Sequence, residues 1–157
     1  MQLDDAKDGR PETEAQRSDR NWAEILQELR VTQTGTQIMS GFLLTLPFQQ
    51  RFATLKTYEL VIYIVLVSLA AATTATGLAP VAIHRRVFHR HEKAELVGIA
   101  SALLQAVLVL VSALTAGVLL FVLDFTINLT AGLIGGAGCI ALLLVLLVML
   151  PASTRRS

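Results

Sequence analysis

Four stretches of this chain run without a formal charge for long enough to cross a bilayer: residues 31–50, 60–83, 96–123 and 125–154. A helix rises about 1.5 Å per residue, so about 20 residues span a hydrocarbon core. Inside lipid the backbone has to satisfy its own hydrogen bonds, and a helix does so within each segment. The expected fold is all-α: a four-transmembrane-helix bundle with spans of about 31–50, 60–83, 96–123 and 125–150. The third and fourth spans are dense in Leu, Val, Ile and Ala. The second runs through small residues over 70–77 and then Pro80, which is expected to kink or end its helix. The first is the least apolar, rich in Thr, Gln, Gly and Ser.

Charge orients these spans. Only 16% of residues are charged, against about 25% in a soluble domain. Residues 1–30 hold eight of the 12 acids and five of the 13 bases. With four spans, one side of the membrane receives Lys7, Arg10, Arg17, Arg20, Arg30, Arg85, Arg86, Arg90, Lys93, Arg155 and Arg156, and the other keeps only Arg51 and Lys56. Basic residues concentrate on the cytoplasmic side, so both termini are expected in the cytoplasm and the protein in the cell membrane. Composition makes residues 1–18 a disordered acidic tail and 19–157 a single membrane domain, with Ser18 or Asp19 capping a helix that starts near Asn21. No basic n-region or apolar h-region opens the chain, so a secretory signal is not expected. Cys139 is the single cysteine, so no disulfide forms within the chain. Asn128-Leu129-Thr130 matches a glycosylation pattern but lies in a short turn beside the membrane.

The first span is patterned. Placed at about 100° per residue, Gln33, Thr34, Gln37 and Ser40 fall on one side with Arg30, Gly41 and Thr45. Val31, Gly35, Ile38, Met39, Phe42 and Leu46 fall opposite. Amides in hydrocarbon are costly, so this polar stripe is expected to face the bundle, a partner helix or a water-filled cavity. Continued backward, the helix places Trp22, Leu26 and Leu29 on the stripe's side and Glu24 and Glu28 on the other. The pattern suits one helix over 20–46, or two joined near residues 30–33, with an N-terminal cytoplasmic amphipathic extension. Its Trp22/Leu26/Leu29 patch would dock on residues 85–95, on a second copy or on another protein. The alternative is a helix lying on the membrane with Trp22 among the headgroups.

Chemistry-bearing residues are few. Glu59 and Asp124, at span ends, are the candidate coupling carboxylates for ion transport, against a plain interfacial role. His84, His89 and His91 lie near Glu92 and Glu95, but four cations in the same loop repel a metal, so neither metal nor cofactor is expected. The basic set Arg85, Arg86, Arg90 and Lys93 suits anionic lipid headgroups. Gly132-x-x-x-Gly136 is a helix-association motif, supported by Ala113-x-x-x-Gly117 and Ala137-x-x-x-Ala141. Phe48, Phe52, Tyr58, Tyr63, Phe121 and Phe125 read as interface or packing aromatics. There is no phosphate loop, dinucleotide glycine pattern or nucleophile elbow, and the basic residues follow the loops, so neither an enzyme nor a nucleic-acid partner is expected.

The stretch Asn21-Trp22-Ala23-Glu24-Ile25-Leu26-Gln27-Glu28-Leu29-Arg30-Val31-Thr32-Gln33-Thr34-Gly35, continued by Phe42-Leu43-Leu44-Thr45-Leu46-Pro47-Phe48-Gln49-Gln50-Arg51-Phe52, resembles the signature of an actinobacterial family of small multi-pass membrane proteins of unknown function. The segment Pro80…His84-Arg85…Phe88 is similar to its second landmark. The resemblance covers about residues 20–150 and implies a four-helix membrane protein. Some relatives carry a sodium:proton antiporter label, whereas the spans here hold no mid-membrane carboxylate. Two functions are expected: a non-enzymatic accessory protein that self-associates or docks on a membrane complex, or a small oligomeric ion transporter lined by Gln33, Thr34, Gln37 and Ser40.

Overall fold

The computed structural model describes residues 13–87 and 93–149. They form four helices: α1 (Glu14–Thr45), α2 (Thr57–Val87), α3 (Lys93–Thr126) and α4 (Leu129–Leu144). Two short 3-10 turns, Leu46–Phe48 and Gln50–Thr54, join α1 to α2, and a wider π turn over Val145–Met149 extends α4. Three segments are long and apolar enough to cross a membrane: Thr57–Ala82, Gly98–Thr126 and Leu129–Met149. The second half of α1 carries too much Thr, Gln and Ser to join them.

Several boundaries differ from the sequence expectation. The first helix starts at Glu14, not near Asn21, so the tail of residues 1–18 is helical from Glu14; residues 1–12 lie outside the described residues. The reason is a capping box at Thr13: Gln16 N–H donates to Thr13 Oγ1 at 3.3 Å, and Thr13 N–H donates to Gln16 Oε1 at 2.9 Å. Two orphan amides are satisfied reciprocally, which makes Thr13 a better start than Ser18 or Asp19. From there α1 runs unbroken to Thr45. Pro80 neither ends nor replaces α2, which continues to Val87. The proline ring is fully buried, and that packing offsets the backbone bond it cannot make. Asp124 does not separate the last two spans either. It lies inside α3, and the turn falls at Asn128, whose Oδ1 caps α4 by accepting from Ala131 N–H at 2.9 Å.

Helices α1, α2 and α3 pack on one another, while α4 packs on α3 alone. The expected four-helix bundle is thus a three-helix core with a fourth helix laid against one member. The core cluster is Leu43 of α1, Tyr63, Leu66 and Ala70 of α2, and Leu114 and Phe121 of α3. A second cluster joins Leu29, Ile25 and Leu26 of α1 to Leu104, Val107 and Val111 of α3. Along α1 the buried residues are Leu29, Thr36 and Leu43, seven apart, the spacing of a helix seam that faces its neighbours continuously.

The α3–α4 contact depends on missing side chains. A Cβ at Gly132 would lie 2.7 Å from the Leu120 carbonyl oxygen and 3.0 Å from Asp124 Cβ; one at Gly136 would lie 3.1 Å from Leu120 Cβ. The Gly132-x-x-x-Gly136 motif therefore serves packing within the chain, by letting two backbones approach. Gly132→Val is expected to lower the thermal unfolding midpoint in detergent micelles, by about 1–3 kcal/mol of stability. Gly138→Ala, on open ground with nothing within 4 Å, should leave it unchanged or raise it slightly through the better helix propensity of alanine. Equal midpoints for the two variants would contradict the close approach.

Candidate functional site at the turn end of the helices

The two carboxylates at the expected span ends are brought together where α2 begins and α3 finishes. Both are 5% exposed. Glu59 sits in the first turn of α2, and its Oε2 accepts the Lys56 backbone N–H at 2.6 Å, closing that helix start from within. The partial positive charge of a helix N-terminus favours a carboxylate there. The Lys56 ammonium lies 3.8 Å from Glu59 Oε1 but is 70% exposed, so it screens the charge and contributes little stability. Asp124 sits in the last turns of α3, where the helix dipole opposes a negative charge.

Tyr58 joins them. Its hydroxyl lies 3.3 Å from Glu59 Oε1 and 3.2 Å from Asp124 Oδ1. One phenol carries one proton, so it donates fully to only one of the two oxygens at a time. Asp124 Oδ2 is buried and has no hydrogen-bond partner among the described residues. The phenol is thus shared between two acidic oxygens and Asp124 Oδ2 is left over, so the set has room for a further proton, an ammonium group or a small cation. An open cleft of about 470 Å³ lies over them, walled by Arg51, Thr54, Lys56 and Thr130 as well as the trio.

Beside the cleft the aromatic residues form a chain. Phe52 meets Tyr63 edge-on with centroids 5.0 Å apart, Tyr63 lies 6.3 Å from Phe121, and Phe121 stacks on Phe125 at 6.2 Å. The Arg51 guanidinium sits 5.0 Å from the Phe125 centroid, a cation–π contact that anchors the connecting turn to α3. Directly beneath, Leu43, Leu66 and Leu114 close the interior with apolar side chains.

Residues 11–151 match the model of a family of unknown function, DUF6328. The chain belongs to this family. No curated protein and no solved structure matches it. Within this DUF6328 chain, the sequence-derived residues fall in different places. Of the polar stripe, Gln33 is half-buried against α2, where a Cβ at Gly77 would meet its Nε2 at 2.8 Å. Ser40 is half-buried and donates to the Thr36 carbonyl at 2.8 Å, while Thr34 and Gln37 are exposed. The wheel grouped these four on one face, yet the buried seam is rotated from their centre toward Leu29, Thr36 and Leu43. Of the docking patch, Leu29 is buried and the half-buried Leu26 packs with it on Leu104 and Val107 of α3. Trp22 is half-buried. Of the basic loop, Arg85 and Arg86 belong to the last turn of α2 and Lys93 opens α3, while Arg90 lies outside the described residues, as do His89 and His91.

Two features escaped sequence reading. Thr36, 1% exposed, is the polar member of the α1 seam, and Tyr58 is the bridge between the carboxylates. The adjacency Tyr58-Glu59 was the only available signal for the second. Tyr58→Phe removes the shared donor. It is expected to lower the unfolding midpoint in detergent, with a loss of about 1.5–3 kcal/mol for a hydrogen bond to a charged acceptor. In the Asp124→Asn background the same change should cost less, because one of the two acidic acceptors is gone. Additive losses would refute the coupling.

Proposed function

We propose that this chain is a non-enzymatic integral protein of the cell membrane, with four spans and cytoplasmic termini, that works by associating in the bilayer with a second copy of itself. Support for the fourth span comes from packing. Leu43 of α1 lies in one cluster with Leu66 of α2 and Leu114 of α3, so the second half of α1 shares the depth of two apolar helices. The apolar side that this part of α1 turns outward, with Val31 69% and Ile38 70% exposed, suits lipid. Eleven of the 13 Lys and Arg residues then fall on the cytoplasmic side.

The observation that carries the association is Gln37. It is exposed near the middle of that span and makes no hydrogen bond among the described residues. The hydroxyls around it are already satisfied: Thr34 donates to the Arg30 carbonyl at 3.0 Å and Thr45 to the Phe42 carbonyl at 2.7 Å. The amide still requires a partner within hydrocarbon. Gln37, Gly41 and Thr45 recur every four residues on this uncovered edge, and nothing lies within 4 Å of a Cβ at Gly41. A small residue beside an amide permits close helix approach, and a carboxamide is both donor and acceptor, so the edge is complementary to itself across a twofold axis.

Energy transfer between two labelled pools in proteoliposomes tests this reading. Gln37→Leu should weaken association by about 0.6–2 kcal/mol, the range for a polar contact between membrane helices. An unchanged dissociation curve would exclude the Gln37 edge, and recovery of a different membrane protein cross-linked at this edge would replace the second copy by that partner.

The ion-transport reading is favoured by the Glu59–Tyr58–Asp124 trio, which has the oxygens to hold a proton or small cation at the end of the core. The apolar layer of Leu43, Leu66 and Leu114 beneath it is closed in a single copy, so a path would have to open between copies or by movement of helices. Proton and sodium flux through proteoliposomes should then fall to background in Asp124→Asn. Equal background flux in the unmodified chain and the variant would end this reading.

A further inference from the structure

A second cleft, of about 560 Å³, shares Arg51 and Phe125 with the first and lies between the 3-10 connection and the end of α3. That volume is in the range of small-molecule sites, about 300–1,000 Å³. Its lining is divided in kind. Gln49, Gln50 and Arg51 supply amide and guanidinium donors, and Phe52, Phe121 and Phe125 supply an apolar wall. We infer that this cleft binds a membrane phospholipid, with Arg51 receiving the phosphate and the aromatic wall receiving the start of an acyl chain.

Charge selects the headgroup. Arg51 takes part in none of the ion pairs among the described residues. Its guanidinium is oriented by the Phe125 ring and makes no hydrogen bond among the described residues, which leaves its N–H donors for an anion. A planar guanidinium matches two phosphate oxygens at once, and a glutamine amide adds a neutral donor. A free anion would use the donors and leave the apolar wall unfilled. A lipid uses both.

Position selects the source. The apolar segment of α2 starts at Thr57 and that of α3 ends at Thr126, so the turn between α1 and α2 lies where hydrocarbon gives way to headgroups. Phe48, 87% exposed at the mouth of the cleft, is an aromatic suited to that boundary. Arg51 and Lys56 are the only cations between Arg30 and Arg85. Diffuse attraction of anionic lipid is therefore weak at this end, and retention of a lipid there requires a built site.

The inference rests on the membrane reading but not on self-association. Native mass spectrometry of the full chain released from mild detergent tests it, with phosphatidylglycerol, phosphatidylcholine and diacylglycerol offered separately. Both phospholipids should be retained, diacylglycerol should not, and inorganic phosphate should fail to displace them. Arg51→Gln should lower retention about tenfold, as loss of a charged hydrogen-bonding group does, with Arg51→Lys intermediate and Lys56→Gln unchanged. Equal retention by Arg51→Gln and the unmodified chain, or equal retention of diacylglycerol, overturns the proposal. Displacement by inorganic phosphate assigns the cleft to a free anion instead. Arg51→Lys keeps the cation over Phe125, so a loss confined to an unfolded Arg51→Gln would be exposed by normal binding in Arg51→Lys and would count against the guanidinium role. Alkaline carbonate extraction separates the two levels: release from membranes defeats the membrane reading, whereas a chain that stays embedded and retains no phospholipid defeats this inference alone.

Discussion

Ten serine and threonine hydroxyls among the described residues bond to the helix that carries them. Thr32, Thr34, Thr36, Ser40, Thr73, Thr74, Thr76, Ser112, Thr115 and Thr126 each donate to the carbonyl four residues earlier, at 2.6 to 3.0 Å. A hydroxyl satisfied in this way asks nothing of its neighbours and can be buried or turned outward with little penalty. The rest of the architecture depends on this. Thr36 and Thr73 pack at 1% exposure inside an otherwise apolar core, and small residues with spent hydroxyls let α1 and α2 lie close. Amides and carboxylates have no such local solution, so the demand for tertiary partners falls on Gln33, Gln37, Glu59 and Asp124.

That distinction explains what the sequence could and could not disclose. The three apolar segments follow from the charge-free runs because the cost of burying charge is large and local. Helix ends do not, since a charge was read as a boundary at Asp124 although the turn residue Asn128 forms the actual cap four positions later. The polar stripe of α1 was drawn by counting threonine and serine with glutamine. Once the hydroxyls are internally satisfied, polarity no longer predicts facing, and the seam instead passes through Leu29, Thr36 and Leu43. The wheel put Gln33 and Gln37 on one face, yet Gln33 packs against α2 while Gln37 is exposed, because a stripe is wider than a seam. The bridge at Tyr58 joins residues 66 positions apart, and no periodicity within one helix encodes such a meeting.

The carboxylate trio is asymmetric for a reason rooted in helix direction. Glu59 belongs to a starting helix and is held by backbone and ammonium donors. Asp124 belongs to a finishing helix and has the phenol alone. Both clefts share Arg51 and Phe125, so one guanidinium borders the acidic oxygens and the aromatic wall alike.

The attachment of α4 to α3 alone bears on how the protein is made. A two-residue turn, Ile127 and Asn128, separates the helices, and contact concentrates at Gly132 and Gly136 near that turn. Farther along, the pair diverges around an apolar groove of about 450 Å³ between Val109 and Leu144. Among the described residues, the core clusters of α1, α2 and α3 include no residue of α4. The last helix then arrives as a local hairpin, folding back from its neighbour with almost no loop to order. Docking of α4 on α3 is therefore the helix pairing with the least loop entropy to lose.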